Sequence, residues 1–173
     1  NKADGQKKEL IKNNSAWQQA VAIVPYLGNL YVLDQKDGVL KYVKTAGDYS
    51  KSNYFPNAPD LSKAVAMTID SSIWILFNDG TIKKFTRGQA DTFTIKNLTT
   101  PFKNPTKIYT DKDINNVYVL DNSNSRIVKL SQDGSFQTAY KAAILQNAKD
   151  FEVLENDKKI LILSSDKIWE IAL

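Results

Sequence analysis

Short runs of apolar residues alternate with turn-forming residues along the whole chain, and these runs recur at one spacing. The most apolar run begins at Leu30, Ile73, Val117 and Ile160, at intervals of 43, 44 and 43 residues. The four runs read LYVL, IWIL, VYVL and ILIL, and such β-branched and aromatic composition is typical of buried strands. A spacing that holds through four copies predicts a repeat protein built from short strands.

Each copy contains further strands around that central run. First strands begin near Gln19, Lys63, Asn104 and Asn147, and third strands begin at Leu40, Ile82, Ile127 and Ile168. In the third copy, Asp133-Gly134 is a hairpin signal, and residues 135–140 follow it as a fourth, more polar strand. Four antiparallel strands in a repeat of this length match one blade of a β-propeller, whose repeats run roughly 40–50 residues.

We therefore predict an all-β fold, a β-propeller of four four-stranded blades in a single domain that spans residues 1–173. The predicted blades cover about 17–50, 62–96, 104–141 and 147–173, the last completed by residues 5–12. Asp4-Gly5 precedes Asp133-Gly134 by 129 residues, three times 43, so an N-terminal strand at about 6–11 occupies the fourth-strand position. Its pairing with the last blade would leave no open edge around the ring, and the protein would be a monomer. In the alternative, the chain is part of a larger propeller or half of an eight-bladed dimer.

The third copy also carries polar residues at fixed places around its central strand. Asn104-Pro105 and Asp111 precede the strand Val117–Val119, and Asp121, Asn124, Arg126-Ile127 and Asp133-Gly134 follow it. This pattern resembles the NHL repeat, a propeller blade. The first copy keeps Tyr31-Val32-Leu33-Asp34 and Asp37-Gly38, the second keeps Asp79-Gly80, and the fourth keeps mostly the hydrophobic pattern. The resemblance implies a propeller fold; NHL propellers usually have six blades, and some bind nucleic acid.

Composition excludes several kinds of chemistry. The 173 residues include no histidine and no cysteine, so Ser-His-Asp and Cys-His catalysis, His- or thiolate-based metal sites and disulfides are impossible. Asp34 and Asp121 follow equivalent strands, but Phe77 and Ser164 stand at the same place in the other copies, so no ring of acids forms. We expect such aspartates to cap turns by accepting hydrogen bonds from backbone N–H groups. We predict no enzyme activity, no cofactor and no metal; carboxylate-only catalysis is the one route left open.

Rigid blades, variable loops on one rim and the absence of a catalytic set favour a non-catalytic binding or scaffold propeller. The partner would be a protein or peptide, and the domain could be the sensor or interaction part of a larger protein. We predict the contact surface at Tyr49, Tyr54, Phe55, Phe102, Asn122, Asn124 and Arg126, because aromatic residues and arginine anchor most contacts. Two alternatives stay open: the aromatic residues of 48–59 cover a small core instead, and Arg126 supports its own blade.

Two other functions come from different classes. The first is nucleic-acid binding by an NHL-like propeller, with the cations Lys51, Lys63, Arg87, Lys103, Lys107 and Arg126 and with Tyr54 and Phe55 as stacking residues. The formal net charge of +4 is spread rather than concentrated in a stripe, which argues against it. The second is lectin-like or hydrolytic activity in a larger propeller.

The longest apolar run, Ala20–Val24, is far shorter than the roughly 18 residues that span a bilayer. The absence of cysteine leaves both the cytoplasm and an extracytoplasmic location open.

Overall fold

The computed structural model describes residue 11, residues 17–165 and residues 167–173. This part of the chain forms four antiparallel sheets arranged as the blades of a β-propeller, so the predicted all-β, four-bladed fold is confirmed. Three sheets have four strands, and three strands of the fourth sheet are described. The predicted N-terminal strand at about 6–11 lies outside the described residues except for Ile11.

Each blade is an up-and-down meander whose strands pair in chain order. The strands are β1 Ala20–Tyr26, β2 Asn29–Asp34, β3 Gly38–Lys44, β4 Tyr49–Asn53, β5 Ala64–Ile69, β6 Ile73–Phe77, β7 Ile82–Thr86, β8 Gln89–Asp91, β9 Lys107–Tyr109, β10 Asn116–Asp121, β11 Arg126–Ser131, β12 Phe136–Lys141, β13 Ala148–Leu154, β14 Lys159–Ser164 and β15 Lys167–Ala172. Two short 3-10 helices, Asn122–Asn124 and Ala143–Asn147, lie in the loops that follow β10 and β12.

The first strand of each blade lies nearest the axis of the ring. β5 packs beside β1, and β9 packs between β5 and β13. At the axis, Lys107 Nζ lies 3.6 Å from Asp150 Oδ2, an ion pair between the first strands of blades three and four. The meander gives the ring two rims. We call the rim with the β2–β3 type of loop and the links between blades the upper rim, and the opposite one the lower rim.

The second strands of blades one, two and three are buried on both faces, because successive side chains point to opposite neighbours. Leu33 of β2 packs in one cluster with Ile75 of β6, whereas Trp74, next to Ile75, packs with Val119 of β10. In turn Leu120, next to Val119, packs in the cluster of blades three and four. This double burial explains why these strands read as continuous apolar runs rather than as an alternation.

The links between blades contribute side chains to the same cores. Phe55 and Leu61 are buried between blades one and two, and Leu145 is buried between blades three and four. Between blades two and three, the link after β8 crosses to the outside of blade three, where Lys96 pairs in parallel with Ser135. β8 therefore ends at Asp91, and residues 92–96, predicted as part of blade two, leave its sheet.

Blades four and one differ from the other neighbours. Each core cluster of the described residues either joins blades one and two, two and three, or three and four, or lies on blade one alone. At the boundary between blades four and one, Ile23 is 60%, Leu163 42% and Ile168 72% exposed, whereas Val32, Leu40 and Tyr42 on that side of blade one are buried. We call the boundary marked by the three exposed residues the seam.

Candidate binding surfaces

The polar residues of the NHL-like pattern hold the link between blades two and three. Asp121 and Arg126 pair across β10 and β11, both are buried, and Arg126 Nε donates to Asp121 Oδ2 at 2.8 Å. Arg126 Nη2 also donates to the carbonyl oxygens of Thr100 and Pro101, at 2.7 and 3.1 Å. The other oxygen of Asp121 accepts from the backbone N–H of Lys103 at 3.0 Å. The buried charges therefore satisfy each other and fasten the link to blade three.

Two asparagines extend this arrangement. Asn124 Nδ2 donates to Asp121 Oδ2 at 2.7 Å and to the carbonyl of Pro101 at 3.2 Å. Asn122 Nδ2 donates to the carbonyls of Leu145 and Ala148, at 2.8 and 3.0 Å, in the link to blade four. We name Asp121, Asn122, Asn124 and Arg126 the link clamp. Of the two alternatives for Arg126, support of its own blade is the observed one, and its burial removes it from any exposed contact surface.

The aromatic residues predicted with them are spread over different places. Tyr49 belongs to β4 rather than to a loop, lies towards the lower rim, and packs against Val32, Leu40 and Tyr42. Phe55 is buried in the core between blades one and two, so its assignment to a contact surface is wrong. Tyr54 is half-buried beside it, with ring centroids 5.0 Å apart, and its hydroxyl donates to the carbonyl of Phe85 at 3.3 Å. The packing alternative for 48–59 is the observed one.

Phe102 is the predicted contact residue that lines an open groove. The cavity has a volume of about 560 Å³ and lies on the upper rim between the β6–β7 loop and the link after β8. We call it the Phe102 groove; its lining comprises residues 79–82, 93–95, 97–99, 101 and 102. The side chains of Phe93, Ile95, Leu98 and Phe102 are half-buried, whereas Thr81 and Thr99 are exposed. Apolar residues thus form the interior, and polar residues stand at the mouth.

The groove is held in shape by its surroundings. The guanidinium carbon of Arg126 lies 5.7 Å from the centre of the Phe102 ring, so the link clamp also fixes this ring. On the other side, a Cβ built on Gly80, whose φ is +89°, would come within 2.7 Å of Phe102 Cβ. Glycine is required there both for the left-handed conformation and for the close approach. The groove therefore exists before any ligand binds.

A second cavity, of about 410 Å³, lies at the axis and opens towards the seam. Ile23, Met67 and Phe151 are among its apolar lining residues, and Asp150 and Glu152 supply carboxylates. Tyr109 donates its hydroxyl proton to Glu152 at 2.6 Å. Burial, together with this carboxylate acceptor, raises the pKa of Tyr109. The Glu152 carboxylate is thus engaged by a phenol, and that of Asp150 by the ammonium group of Lys107.

The basic residues considered for nucleic-acid binding do not converge. Arg126 is buried in the link clamp, and Lys107 pairs with Asp150 at the axis. Arg87 lies at the β7–β8 turn on the lower rim, whereas Lys63 and Lys103 lie in links on the upper rim. Lys51 belongs to β4, at the outer edge of blade one. Phosphate binding needs a continuous positive surface, and these positions do not provide one.

The buried aspartates act as caps. Asp34 accepts the backbone N–H groups of Gln19, Lys36 and Asp37 at 2.8–3.0 Å. Burial alone would raise the pKa of Asp34, but these hydrogen bonds outweigh it and lower the pKa. The expectation that aspartate after a second strand caps a turn is confirmed for this residue.

Within residues 17–165 and 167–173, together with Ile11, no three acidic side chains are grouped closely enough to hold a metal ion. No helix in the same part of the chain has the length and apolar composition to cross a membrane.

Sequence reasoning missed the seam. Leu163 and Ile168 hold the same repeat positions as Leu120 and Ile127, which are fully buried, so the pattern alone predicts core residues. What differs is the neighbouring blade, and no local signal in the sequence reports how closely a neighbour packs. The sequence predicts Phe102 as a contact residue, but it does not predict the crossing of residues 92–96 that forms the rest of the groove.

Comparisons with known proteins support the fold. No protein-family model matches the chain, and no curated protein matches it. Among solved structures, the computationally designed Ika4 protein matches with a TM-score of 0.63 and 11% identity, over 97% of this chain and 99% of that one. The glutaminyl cyclase of Myxococcus xanthus matches with a TM-score of 0.60 and 9% identity, over 87% of this chain and 71% of the cyclase. The WD40 propeller domain of Doa1 matches with a TM-score of 0.54 and 13% identity, over 89% of this chain and 55% of that domain. At such identities the likeness establishes architecture alone.

Proposed function

We propose that the protein is a non-catalytic binding propeller that recognises an extended peptide segment of a partner protein in the Phe102 groove. The observation that carries this proposal is the preformed groove itself, with its apolar interior and polar mouth on the rim where the links lie. Binding sites are typically concave, largely apolar and rigid, with a few polar groups that orient the ligand. The propeller fold suits such a role because it presents rigid loops at one rim.

The groove fits a peptide better than a charged polymer. Thr81 and Thr99 at its mouth are neutral, and the exposed carboxylate of Asp79 is the one ionisable group among the lining residues. Phe93 and Phe102 offer aromatic faces to an apolar side chain of the ligand. We therefore expect a ligand with one large apolar residue that enters the groove and with backbone groups that reach the threonines.

The absence of histidine and cysteine supports a non-catalytic role, as does the engagement of Asp34 and Asp121 in caps and links. We propose that the domain serves as the sensor or interaction part of a larger polypeptide. Its third blade resembles an NHL repeat. We propose that NHL repeats fasten the link before each blade in the same way as the link clamp does in this protein.

The test is selection from a random peptide library displayed on phage, followed by fluorescence anisotropy with the enriched peptides. Thr99→Lys places a long charged side chain at the mouth of the groove, and Ser123→Lys makes the same change at an exposed upper-rim residue outside the groove. We expect enriched peptides to contain a large apolar residue and Thr99→Lys to weaken their binding at least tenfold. Ser123→Lys should change the affinity less than twofold.

The proposal fails if no peptide is enriched, or if Thr99→Lys binds the enriched peptides as tightly as the unmodified protein. A labelled 20-nucleotide single-stranded RNA in the same assay tests the nucleic-acid alternative. Tight RNA binding that weakens steeply with added salt would replace the peptide proposal, since counterion release marks phosphate contacts.

A further inference from the structure

We propose that the peptide bound in the Phe102 groove also places a carboxylate group in an adjoining cavity, where the ammonium groups of Lys63 and Lys83 bind it. This inference rests on the proposed function and adds to it a requirement of the ligand. Besides a large apolar residue, the partner's segment must carry an acidic group close by.

The adjoining cavity lies on the upper rim, on the side of the β6–β7 loop that faces blade one. It has a volume of about 190 Å³ and is lined by residues 60, 62, 63, 77, 79, 81 and 83, and we call it the lysine cavity. Asp79 and Thr81 line both the lysine cavity and the Phe102 groove. A single hairpin loop therefore separates the two cavities, and an extended peptide that crosses this loop reaches both.

Paired backbone holds both lysines at this cavity. The N–H of Asn78 in the loop donates to the carbonyl oxygen of Lys63 at 3.0 Å, and that of Phe77 donates to the carbonyl oxygen of Thr81 at 2.9 Å. Lys83 belongs to β7, and its Nζ lies 4.9 Å from the centre of the Phe77 ring. The lysine cavity, like the groove, thus has its shape before any ligand binds.

The two carboxylates of the lysine cavity are engaged within the chain. Asp60 accepts the backbone N–H of Ser62 at 3.0 Å, and Asp79 accepts that of Thr81 at 2.9 Å. The hydrogen bonds from Ser62 lower the pKa of Asp60, and those from Thr81 lower the pKa of Asp79. Both aspartates therefore cap the turns in which they lie, and their oxygens are partly occupied.

The two lysines are differently placed. In the part of the chain that the structure describes, no carboxylate lies within 4.0 Å of the Nζ of Lys63 or Lys83, and both residues are exposed. Each ammonium group offers three N–H donors and no acceptor. A carboxylate of the ligand can accept from both lysines, and such charge-assisted hydrogen bonds are stronger than neutral ones.

The balance of charge favours a single carboxylate over a polyanion. Lys63 and Lys83 are matched in number by Asp60 and Asp79, so the lysine cavity has no net positive charge. A nucleic acid needs an extended positive surface, whereas one carboxylate needs only the two donors beside it.

The width of the hairpin sets the spacing within the ligand. Adjacent strands lie about 5 Å apart, and an extended peptide advances about 3.4 Å per residue. The carboxylate should therefore lie about two to four residues from the apolar residue that enters the Phe102 groove.

Synthetic peptides test this inference. Each probe is a fluorescein-labelled peptide of glycine and serine with one tryptophan, and with glutamate, glutamine or lysine placed about two to four residues to either side of it. Fluorescence anisotropy should show, at one spacing, that the glutamate peptide binds about threefold to tenfold more tightly than the glutamine peptide. The lysine peptide should bind more weakly than the glutamine peptide. The advantage of glutamate should shrink as NaCl is raised from about 0.05 M to about 0.5 M, because salt screens exposed charges.

The carboxylate can come from a side chain or from the C-terminus of the peptide. A glutamine peptide that ends about two to four residues after its tryptophan is therefore measured as the free acid and as the amide. Tighter binding of the free acid identifies the C-terminus as the source, and an advantage of glutamate within the chain identifies the side chain.

Substitution of the lysines connects this preference to the cavity. Lys63→Gln and Lys83→Gln together should abolish the advantage of the carboxylate and change the affinity for the amidated glutamine peptide less than about twofold. Lys84→Gln is the matched control, because Lys84 is the next residue of β7 and its Nζ lies in the same way over a ring, 4.6 Å from the centre of Trp74. Lys84 lines neither cavity, so the advantage should persist. Circular dichroism confirms that each variant is folded.

Thr99→Lys distinguishes the failure of this inference from that of the proposed function. If Thr99→Lys weakens binding but carboxylate and neutral peptides bind equally, or if the advantage survives in the double lysine variant, the inference is overturned and the groove proposal stands. If no tryptophan peptide binds, or if Thr99→Lys has no effect on binding, the groove proposal is overturned and the inference falls with it.

Discussion

The interface between blades three and four and the seam between blades four and one are built from equivalent residues in unequal surroundings. Leu120 at the end of β10 is fully buried against blade four, whereas Leu163 at the end of β14 is 42% exposed towards blade one. Both follow the same kind of strand in the same repeat. The repeat therefore determines that each segment forms a strand, whereas the neighbouring blade and its link determine how deeply the side chains of that strand are buried.

The described links contribute to the well-packed interfaces. Leu145 fills the interface between blades three and four, and Asn122 fastens its carbonyl oxygen to blade three. Between blades two and three, the link clamp and the parallel contact at Lys96 serve the same purpose. A propeller of this size is thus held together by side chains between its sheets as well as by the sheets. The predictions below change one interface at a time and compare it with a matched position.

The largest effect is expected at Gly134, where the link to blade three lies against the turn between β11 and β12. Its φ is +88°, and a Cβ there would lie 2.1 Å from the carbonyl oxygen of Thr94. Gly134→Ala should lower the free energy of unfolding by about 2–6 kcal/mol, since backbone strain and overpacking add. Gly28→Ala is the control, because Gly28 has φ +78° but open space around it, and it should cost about 1–3 kcal/mol. Urea denaturation measures both, and equal losses would mean that the link does not press on residue 134.

Removal of the buried arginine from the link clamp should have the next largest effect. Arg126→Ala leaves the Asp121 carboxylate buried without its cation and should lower the free energy of unfolding by about 3–5 kcal/mol. Lys107→Ala breaks the half-exposed ion pair at the axis and should cost about 0–1 kcal/mol. Denaturant titration of both variants measures the two losses of unfolding free energy. A loss for Arg126→Ala as small as that for Lys107→Ala would contradict a structural role for the link clamp.

Substitution of the two equivalent leucines, Leu120 and Leu163, tests directly whether the two interfaces differ in packing. Leu120→Ala should lower the free energy of unfolding by about 2–5 kcal/mol, because a buried side chain leaves a cavity. Leu163→Ala should cost less than about 1 kcal/mol, because much of its side chain is already in contact with solvent. Thermal denaturation by circular dichroism gives both values. Equal costs at the two positions would show that the seam is as well packed as the other interfaces.

The smallest effect is expected at Asp70, which joins blades two and three at the lower rim. Its carboxylate accepts hydrogen bonds from Ser72 N–H at 2.7 Å, Trp74 Nε1 at 3.0 Å and Gln132 Nε2 at 3.1 Å. Burial alone would raise the pKa of Asp70, but the hydrogen bonds from Ser72, Ser71, Gln132 and Trp74 lower it below 3.8. Its stabilising contribution is therefore present above pH 3.8 and is lost as the pH falls through the lowered pKa.

Asp70→Asn should accordingly lower the free energy of unfolding by about 1–3 kcal/mol at pH 7. The gap between the two proteins should stay constant down to about pH 5 and narrow below pH 4. Urea denaturation across this pH range measures the gap. A gap that widens in acid would mean that the carboxyl group is stabilised in its neutral form.

Much of the fold could be predicted from the sequence because the repeat is explicit. The spacing of Leu30, Ile73, Val117 and Ile160 is a property of the chain that no packing detail alters, and each begins or lies within a second strand. The crossing of residues 92–96 to blade three could not be predicted, since it depends on the glycine at 134 and on contacts far apart in sequence.

The candidate site was harder to predict for a physical reason. Aromatic residues and arginine are as suited to interiors as to contact surfaces, and sequence does not separate the two. Phe55 and Arg126 turned out to be buried, whereas Phe102 lines a groove because the link brings it to the rim. The exposure of Ile168 depends on what lies beside blade four, which its local sequence does not encode.

The most direct test of the contrast between interfaces is amide hydrogen exchange in β10 and β14, followed by NMR or mass spectrometry. Both strands are paired on both sides, and β14 has the longer pairing with the first strand of its blade, so slower exchange in β10 would come from side-chain burial rather than from additional backbone hydrogen bonds. We predict that the amides of β10 exchange at least tenfold more slowly than those of β14, because opening β10 exposes a completed core on each face. Equal exchange rates in the two strands, or slower exchange in β14, would contradict the account.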